Sequence, residues 1–387
     1  MENQTQKIAQ FWSSGERKMI LEEENQQIAR FSFASSWPKK ERKIAQKYKE
    51  NSSLMSVLQD YSENWNFDYL IISPLGKEKH KNATILFHGF NERNWNKYYP
   101  WAIKLVKETA KAVVLFPFAY HINRSPAHWT DLREMSSLSQ ERKIAKKPED
   151  ADYSSFINVA LSSRMEYYPQ QFYFSGMQSY LDYLDLFSLI RSGEHPLFEK
   201  NTEISFFAYS IGCLLAQIIL LANPEEAFAR TKSFLFCGGS SFDRMNGVSK
   251  YIIDSFAAEK LSKFNKRLHE KHLFRQENNR LNTVINAASK SFISLLQEEM
   301  YVDFREERWK AKAADILVYA FNKDKVVPIE SIKENLLGKD RSIPIKLVEK
   351  AVSYDFVHEQ PFKGKQNQDE AEDCFEEVFN LAAEFLK

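Results

Sequence analysis

Short, continuous apolar runs alternate with amphipathic stretches along most of this chain. Phe67–Ser73, Ala83–Phe87, Ala112–Pro117, Ile204–Ala208, Thr231–Cys237, Ala314–Phe321 and Ile343–Val348 read as strands. A strand with one wet face would alternate apolar and polar residues; these runs do not, so both their faces are expected to be buried. Helical spacing falls between them. It covers Trp95–Ala110, Met177–Ile190 (Leu181, Leu184 and Phe187 on one face), residues 212–222, and Asp369–Leu386 with Phe375, Val378, Phe379 and Ala382 in its stripe. Buried strands separated by helices predict an α/β fold, a doubly wound and mostly parallel sheet covered on both faces. In such sheets, ligands bind beyond the carboxyl ends of the strands. His88, Ser210 and Gly238 all fall there.

Three segments depart from the repeat. Residues 1–60 are polar and mixed, with one alternating strand at Gln26–Ala34 and a charged, solvated helix expected at Pro38–Asn51. They read as an N-terminal extension covering one edge of a main domain at 61–387. Residues 118–175 and 242–312 are too long to be simple connections, and segments of that length carry structure and function of their own. The second holds an apolar helical stripe of Val284, Ile285, Ala288, Phe292, Leu295 and Leu296. A stripe that wide must be buried. The expectation is a helical cap over Ser210, with the stripe packed against the other insertion.

The densest chemical signal is Ile-Ser-Phe-Phe-Ala-Tyr-Ser-Ile-Gly at 204–212. A buried strand, a sharp turn bearing one serine, and a helix follow in direct succession. Such a turn lifts a hydroxyl beyond the sheet edge and aims a helix N-terminus at it, which is how a nucleophile elbow is built. A serine nucleophile needs a base, an acid to orient the base, and donors for the oxyanion. Asp324 lies just after one strand, in Asn-Lys-Asp-Lys-Val-Val-Pro, and His358 lies after the last. Asp243, after the preceding strand, is the rival acid.

The order Ser210, Asp324, His358 and the strand-terminal His88-Gly89-Phe90 resemble an α/β-hydrolase of the esterase and lipase type, from about Phe67 to the C-terminus. The resemblance implies a serine hydrolase that cleaves an ester, thioester or amide through an acyl-enzyme on Ser210. His358 is then the base and Asp324 the orienting acid, and the Phe90 and Ile211 amides form the oxyanion hole. An acyltransferase using the same triad, or a non-catalytic binding protein, would share these residues. One departure stands out: the elbow opens on Ala208 where the family has glycine.

Further residues at or beyond strand ends are candidates to line the pocket: His88, Tyr209, His121, Arg124 and Arg164, with Asn123, His128 and Trp129 nearby. An arginine there could hold a carboxylate or phosphate. His88 is better suited to positioning the oxyanion loop than to proton transfer. His269 and His272 lie three apart, but no third ligand is evident, and no glycine-rich phosphate loop is present. No metal or cofactor is therefore expected. A net charge of +1 favours neither nucleic acid nor an anionic membrane. The N-terminus lacks an apolar signal core, no stretch is long enough to span a bilayer, and three separated cysteines form no disulfide framework. The expected setting is cytoplasmic and the expected partner a small acyl substrate.

Overall fold

The apolar runs pair into the middle of one nine-stranded sheet in the computed structural model, which describes residues 2–36, 57, 61–144, 153–268, 280–364 and 366–387. The strands are β1 (Lys18–Leu21), β2 (Gln26–Ala34), β3 (Asn66–Pro74), β4 (His80–Phe87), β5 (Ala112–Leu115), β6 (Phe198–Tyr209), β7 (Ser233–Phe236), β8 (Ile316–Phe321) and β9 (Lys346–Lys350). Their spatial order is β1-β2-β3-β5-β4-β6-β7-β8-β9. From β5 to β9 every pairing is parallel; β1, β2 and β3 join by antiparallel pairings. This is a mostly parallel sheet with an antiparallel edge, as the apolar runs predict.

Two apolar layers cover it. One face packs against helices Gln170–Ser192 and Ile211–Ala222. The other packs against Tyr98–Thr109, the C-terminal helix Gln368–Leu386 and, through Ile8 and Phe11, the N-terminal helix Glu2–Ser14. Burial on both faces is why β4, β6 and β8 are almost continuously apolar.

The N-terminal segment is more than a cover. Its strand β2 pairs residue for residue with β3, from Gln26↔Pro74 to Ala34↔Asn66, and β1 extends the sheet beyond it. β1 is short and half-exposed, with Ile20 open to solvent, so its pattern is too weak to announce a strand. The charged helix expected at 38–51 lies outside the described residues. β9 starts at Lys346 rather than Ile343 because Pro344 has no N–H for the ladder. Ile343 and Ile345 still bury their side chains in the core.

Helices of the two insertions pack on each other. Helix Val159–Tyr167, from the first, packs on Ser255–Lys266, from the second. Between them Arg142 donates through Nε to Asp254 at 2.5 Å and also pairs with Glu166. Asp254 in turn caps its helix by accepting from the Ala257 N–H at 2.9 Å. Breaking a buried pair of this kind costs about 3–5 kcal/mol. The apolar stripe of the sequence points helix Arg280–Leu296 toward the first insertion. The helix packs on Ile211–Ala222 as well as on Gln170–Ser192. Gly176 makes that approach possible: a Cβ there would lie 2.4 Å from the Phe292 ring.

Several histidines are buried and neutral. His195 accepts from the Leu197 N–H through Nδ1 at 3.1 Å and donates through Nε2 to the Tyr69 hydroxyl at 2.9 Å. Burial lowers its pKa from 6.5 to about 4, and burial does the same to His121. The unfolded chain takes up these protons near 6.5 and the folded chain only near 4. Stability is therefore fully present above 6.5 and is lost as pH falls toward 4, by up to roughly 3 kcal/mol per histidine. Urea midpoints are expected to drop across that window, and a His195→Gln variant should show a shallower slope. An unchanged slope in that variant would refute the assignment.

Candidate active site

Tyr209 ends β6 and Ile211 begins the next helix, so Ser210 must make the whole turn alone. Its backbone sits at φ 57 and ψ −126, a region that favours glycine and that non-glycine residues occupy only when their surroundings force them. The forcing contacts are visible. Ser210 N–H donates to the Phe236 carbonyl at 3.1 Å, and Ser210 C=O accepts from Cys213 N–H at 2.9 Å. Gly212 lets the helix abut β4, since a Cβ there would stand 2.7 Å from the Phe87 carbonyl oxygen. Gly238 likewise leaves room for Cys213; its Cβ would fall 2.4 Å from that sulfur. Ala208 is fully buried within β6, between Phe87 of β4 and Leu235 of β7.

Ser210 Oγ lies 2.7 Å from His358 Nε2, and His358 Nδ1 lies 2.7 Å from Asp324 Oδ2. The second oxygen of Asp324 accepts two backbone N–H groups, from Val326 at 2.9 Å and Val327 at 3.0 Å. A carboxylate only accepts, so Nδ1 carries the proton and donates to it. That leaves the Nε2 lone pair facing the serine hydroxyl, which donates. All three side chains are buried. Asp243 stands in the wall of the cavity beside Ser210 but, among the described residues, makes no hydrogen bond to His358: it is exposed and accepts the Glu298 N–H with both oxygens, each at 3.1 Å.

Ile211 is the first residue of its helix, and its N–H has no intrahelical acceptor. Phe90 is oriented indirectly through His88. The Phe118 N–H donates to His88 Nε2 at 2.9 Å, so the ring proton is on Nδ1, which donates to the Gly89 carbonyl at 2.8 Å. Across a planar trans peptide, a carbonyl held on one side turns the following N–H, that of Phe90, to the other. Gly89 N–H is held by the Tyr98 hydroxyl at 2.7 Å. Burial, and then the neighbouring His121, push the His88 pKa well below its ordinary value. His88 is thus a neutral brace between the ends of β4 and β5.

Two apolar cavities meet at Phe90 and Ile211. The larger, about 190 Å³, has Ser210 in its wall together with Met245, Ile252, Leu261 and Leu296 of the second insertion. The smaller, about 50 Å³, is lined by Phe118, His121, Phe172 and Phe292 among others. His121 donates through Nδ1 to the Ala119 carbonyl at 2.9 Å, and its Nε2 has no partner among the described residues.

The remaining pocket candidates belong to the framework. Tyr209 is buried at the end of β6: its ring stacks on that of His358 at 5.6 Å, and its hydroxyl donates to the His358 carbonyl. Arg124 is fully buried, 2.8 Å from Asp182, and also donates to the Asn64 and Pro117 carbonyls. Its charge is needed inside the fold and it lines neither cavity. Arg164 donates to the Val57 carbonyl at 2.7 Å and stacks over Tyr120, again away from both cavities. Asn123 holds the Asp68 carbonyl at 2.9 Å. His269 and His272 lie outside the described residues. One residue of the larger cavity went unnoticed in the sequence, Asn265. Its signal was there: it shares a helical stripe with Ala257, Leu261 and Phe264, where an apolar residue belongs. Among the described residues no helix is long and apolar enough to cross a membrane.

Residues 2–387 match the family described as "Family of unknown function (DUF6051)". No curated protein matches the chain. Among solved structures it is similar to carboxyl esterase 2 from the mycorrhizal fungus Tuber melanosporum, at 12% identity over 84% of this chain and 82% of that one, with a TM-score of 0.42. It is also similar to a thermostable carboxyl esterase from Bacillus coagulans, at 12% identity over 93% and 99% of the two chains, TM-score 0.44. Vibralactone cyclase is similar at 9% identity over 99% and 85%, TM-score 0.48.

Proposed function

We propose that this chain, which belongs to the DUF6051 family, is a serine hydrolase that cleaves a carboxylic ester of a small acyl substrate. Ser210 Oγ attacks the ester carbonyl while His358 Nε2 takes its proton. Asp324 holds the Nδ1–H tautomer and stabilises the imidazolium that forms. The N–H groups of Ile211 and Phe90 receive the developing oxyanion. His358 then protonates the leaving alcohol, and water, activated by the same histidine, releases the acid and restores Ser210. The insertions at 118–175 and 242–312 act as a cap that admits apolar substrates.

One observation carries this reading. An unbroken relay of two 2.7 Å hydrogen bonds runs from Asp324 through His358 to a serine in strained backbone geometry, and that serine opens on an apolar cavity. A structural serine gains nothing from such strain. The test is labelling with a fluorophosphonate, read by intact mass and peptide mapping. The expected result is one adduct, on Ser210. A folded protein that forms no adduct would overturn the proposal.

A further inference from the structure

The larger cavity has one feature that its apolar wall does not explain. Asn265 lines it from helix Ser255–Lys266 and is 3% exposed, yet neither the nitrogen nor the oxygen of its side-chain amide has a hydrogen-bond partner among the described residues. The other polar groups nearby are accounted for: Ser210 bonds His358, and the exposed Asp243 accepts the Glu298 N–H with both carboxylate oxygens. Asn246 Oδ1 accepts the Val248 N–H, Gln297 Nε2 donates to the Asn265 backbone carbonyl at 2.7 Å, and Ser262 and Lys266 reach solvent. The helix end is therefore satisfied by Gln297, and the Asn265 side chain is not needed as a cap.

Burying an amide with both ends unmade is unfavourable, and a leucine in its place would continue the stripe of Ala257, Leu261 and Phe264. An orphaned amide at a cavity wall is matched by a ligand group that donates and accepts at once. A hydroxyl or a carboxamide does both. A hydrocarbon does neither, and a carboxylate only accepts.

We infer that Asn265 determines specificity: the substrate arm seated in the larger cavity is apolar along its length and carries a hydroxyl or carboxamide that pairs with the Asn265 amide. This rests on Ser210 being the nucleophile.

The experiment uses matched pairs of p-nitrophenyl esters, with and without a terminal hydroxyl, from butyrate to octanoate. A second arm uses matched alkyl phosphonates, with the rate of Ser210 modification read by intact mass. Wild type is expected to favour the hydroxylated member of at least one pair by about tenfold in kcat/KM and in labelling rate. Asn265→Leu is expected to erase that preference while keeping the plain ester and leaving the thermal midpoint unchanged or raised. A merely structural asparagine would instead lower the midpoint and affect both members alike. Labelling of Ser210 with no preference in any pair, or a preference that survives in Asn265→Leu, overturns this inference and leaves the hydrolase reading intact. No labelling of folded protein by any phosphonate overturns both.

Discussion

Ser210→Ala is expected to lower ester turnover on the order of a thousandfold or more while the thermal midpoint stays within a few degrees of wild type. The chemical half follows from the relay: without Oγ there is no acyl-enzyme, and His358 faces a methyl group. The structural half follows from the turn. Ser210 is held by its backbone N–H and C=O, to Phe236 and Cys213, and among the described residues its side chain bonds only His358. Alanine keeps both backbone bonds and adds no atoms. Turnover of an ester panel and a melting curve, on the same preparation, check the two halves together. A folded Ser210→Ala protein with wild-type turnover would remove this serine from the mechanism.

Asp324→Asn is expected to cost about a thousandfold to ten-thousandfold in kcat with little change in KM. The geometry dictates which way the new amide points. The Val326 and Val327 N–H groups both donate to one carboxylate oxygen, so the amide oxygen stays with them. The NH₂ group is then turned toward His358 Nδ1, where the carboxylate accepted a proton at 2.7 Å. A donor there requires Nδ1 to accept, which moves the ring proton to Nε2 and leaves no lone pair for the serine hydroxyl. Asp243→Asn is the matched control: Asp243 accepts the Glu298 N–H rather than a bond from His358, and its loss should leave kcat near wild type. Steady-state kinetics on both variants decide the matter. Equal losses, or a loss confined to Asp243→Asn, would reverse the assignment of the acid.

Some of this was legible because the deciding physics is local. Strands β4, β6 and β8 are buried on both faces, so their residues are apolar without alternation and stand out in any window. The elbow was legible because a strained turn between a strand and a helix tolerates few residue types, and Gly212 marks where the helix must touch β4. Strand β1 was not legible. A short, half-exposed edge strand obtains its hydrogen bonds from β2 and little from its own composition. The helices at Leu132–Ile144 and Val302–Lys312 are strongly charged, and their weak apolar faces left no clear period.

Side-chain roles divided along the same line. Arg124 and Arg164 sit near the end of a strand or in an insertion, as pocket residues do, and only the packing shows their charges turned inward, to Asp182 and to the Val57 carbonyl. Tyr209 adjoins the serine in sequence but its hydroxyl is committed to the His358 loop. Asn265 was passed over because one polar residue in a helical stripe carries no meaning until a cavity is found beside it.

By itself, then, the sequence determined the alternation of buried strands and helices, the site of the turn at Ser210, and the chain order of serine, acid and histidine. Each depends on neighbours a few residues away. Only the tertiary structure decided which acid meets His358, which face of each arginine is inside, and what lines the space above Ser210. Those depend on residues tens to hundreds of positions apart, such as Ser210 and His358, brought to 2.7 Å by the parallel order of β6, β7, β8 and β9. Distance along the chain carries no information about such contacts, because loop closure costs only a slowly growing entropy while side-chain packing selects the partner.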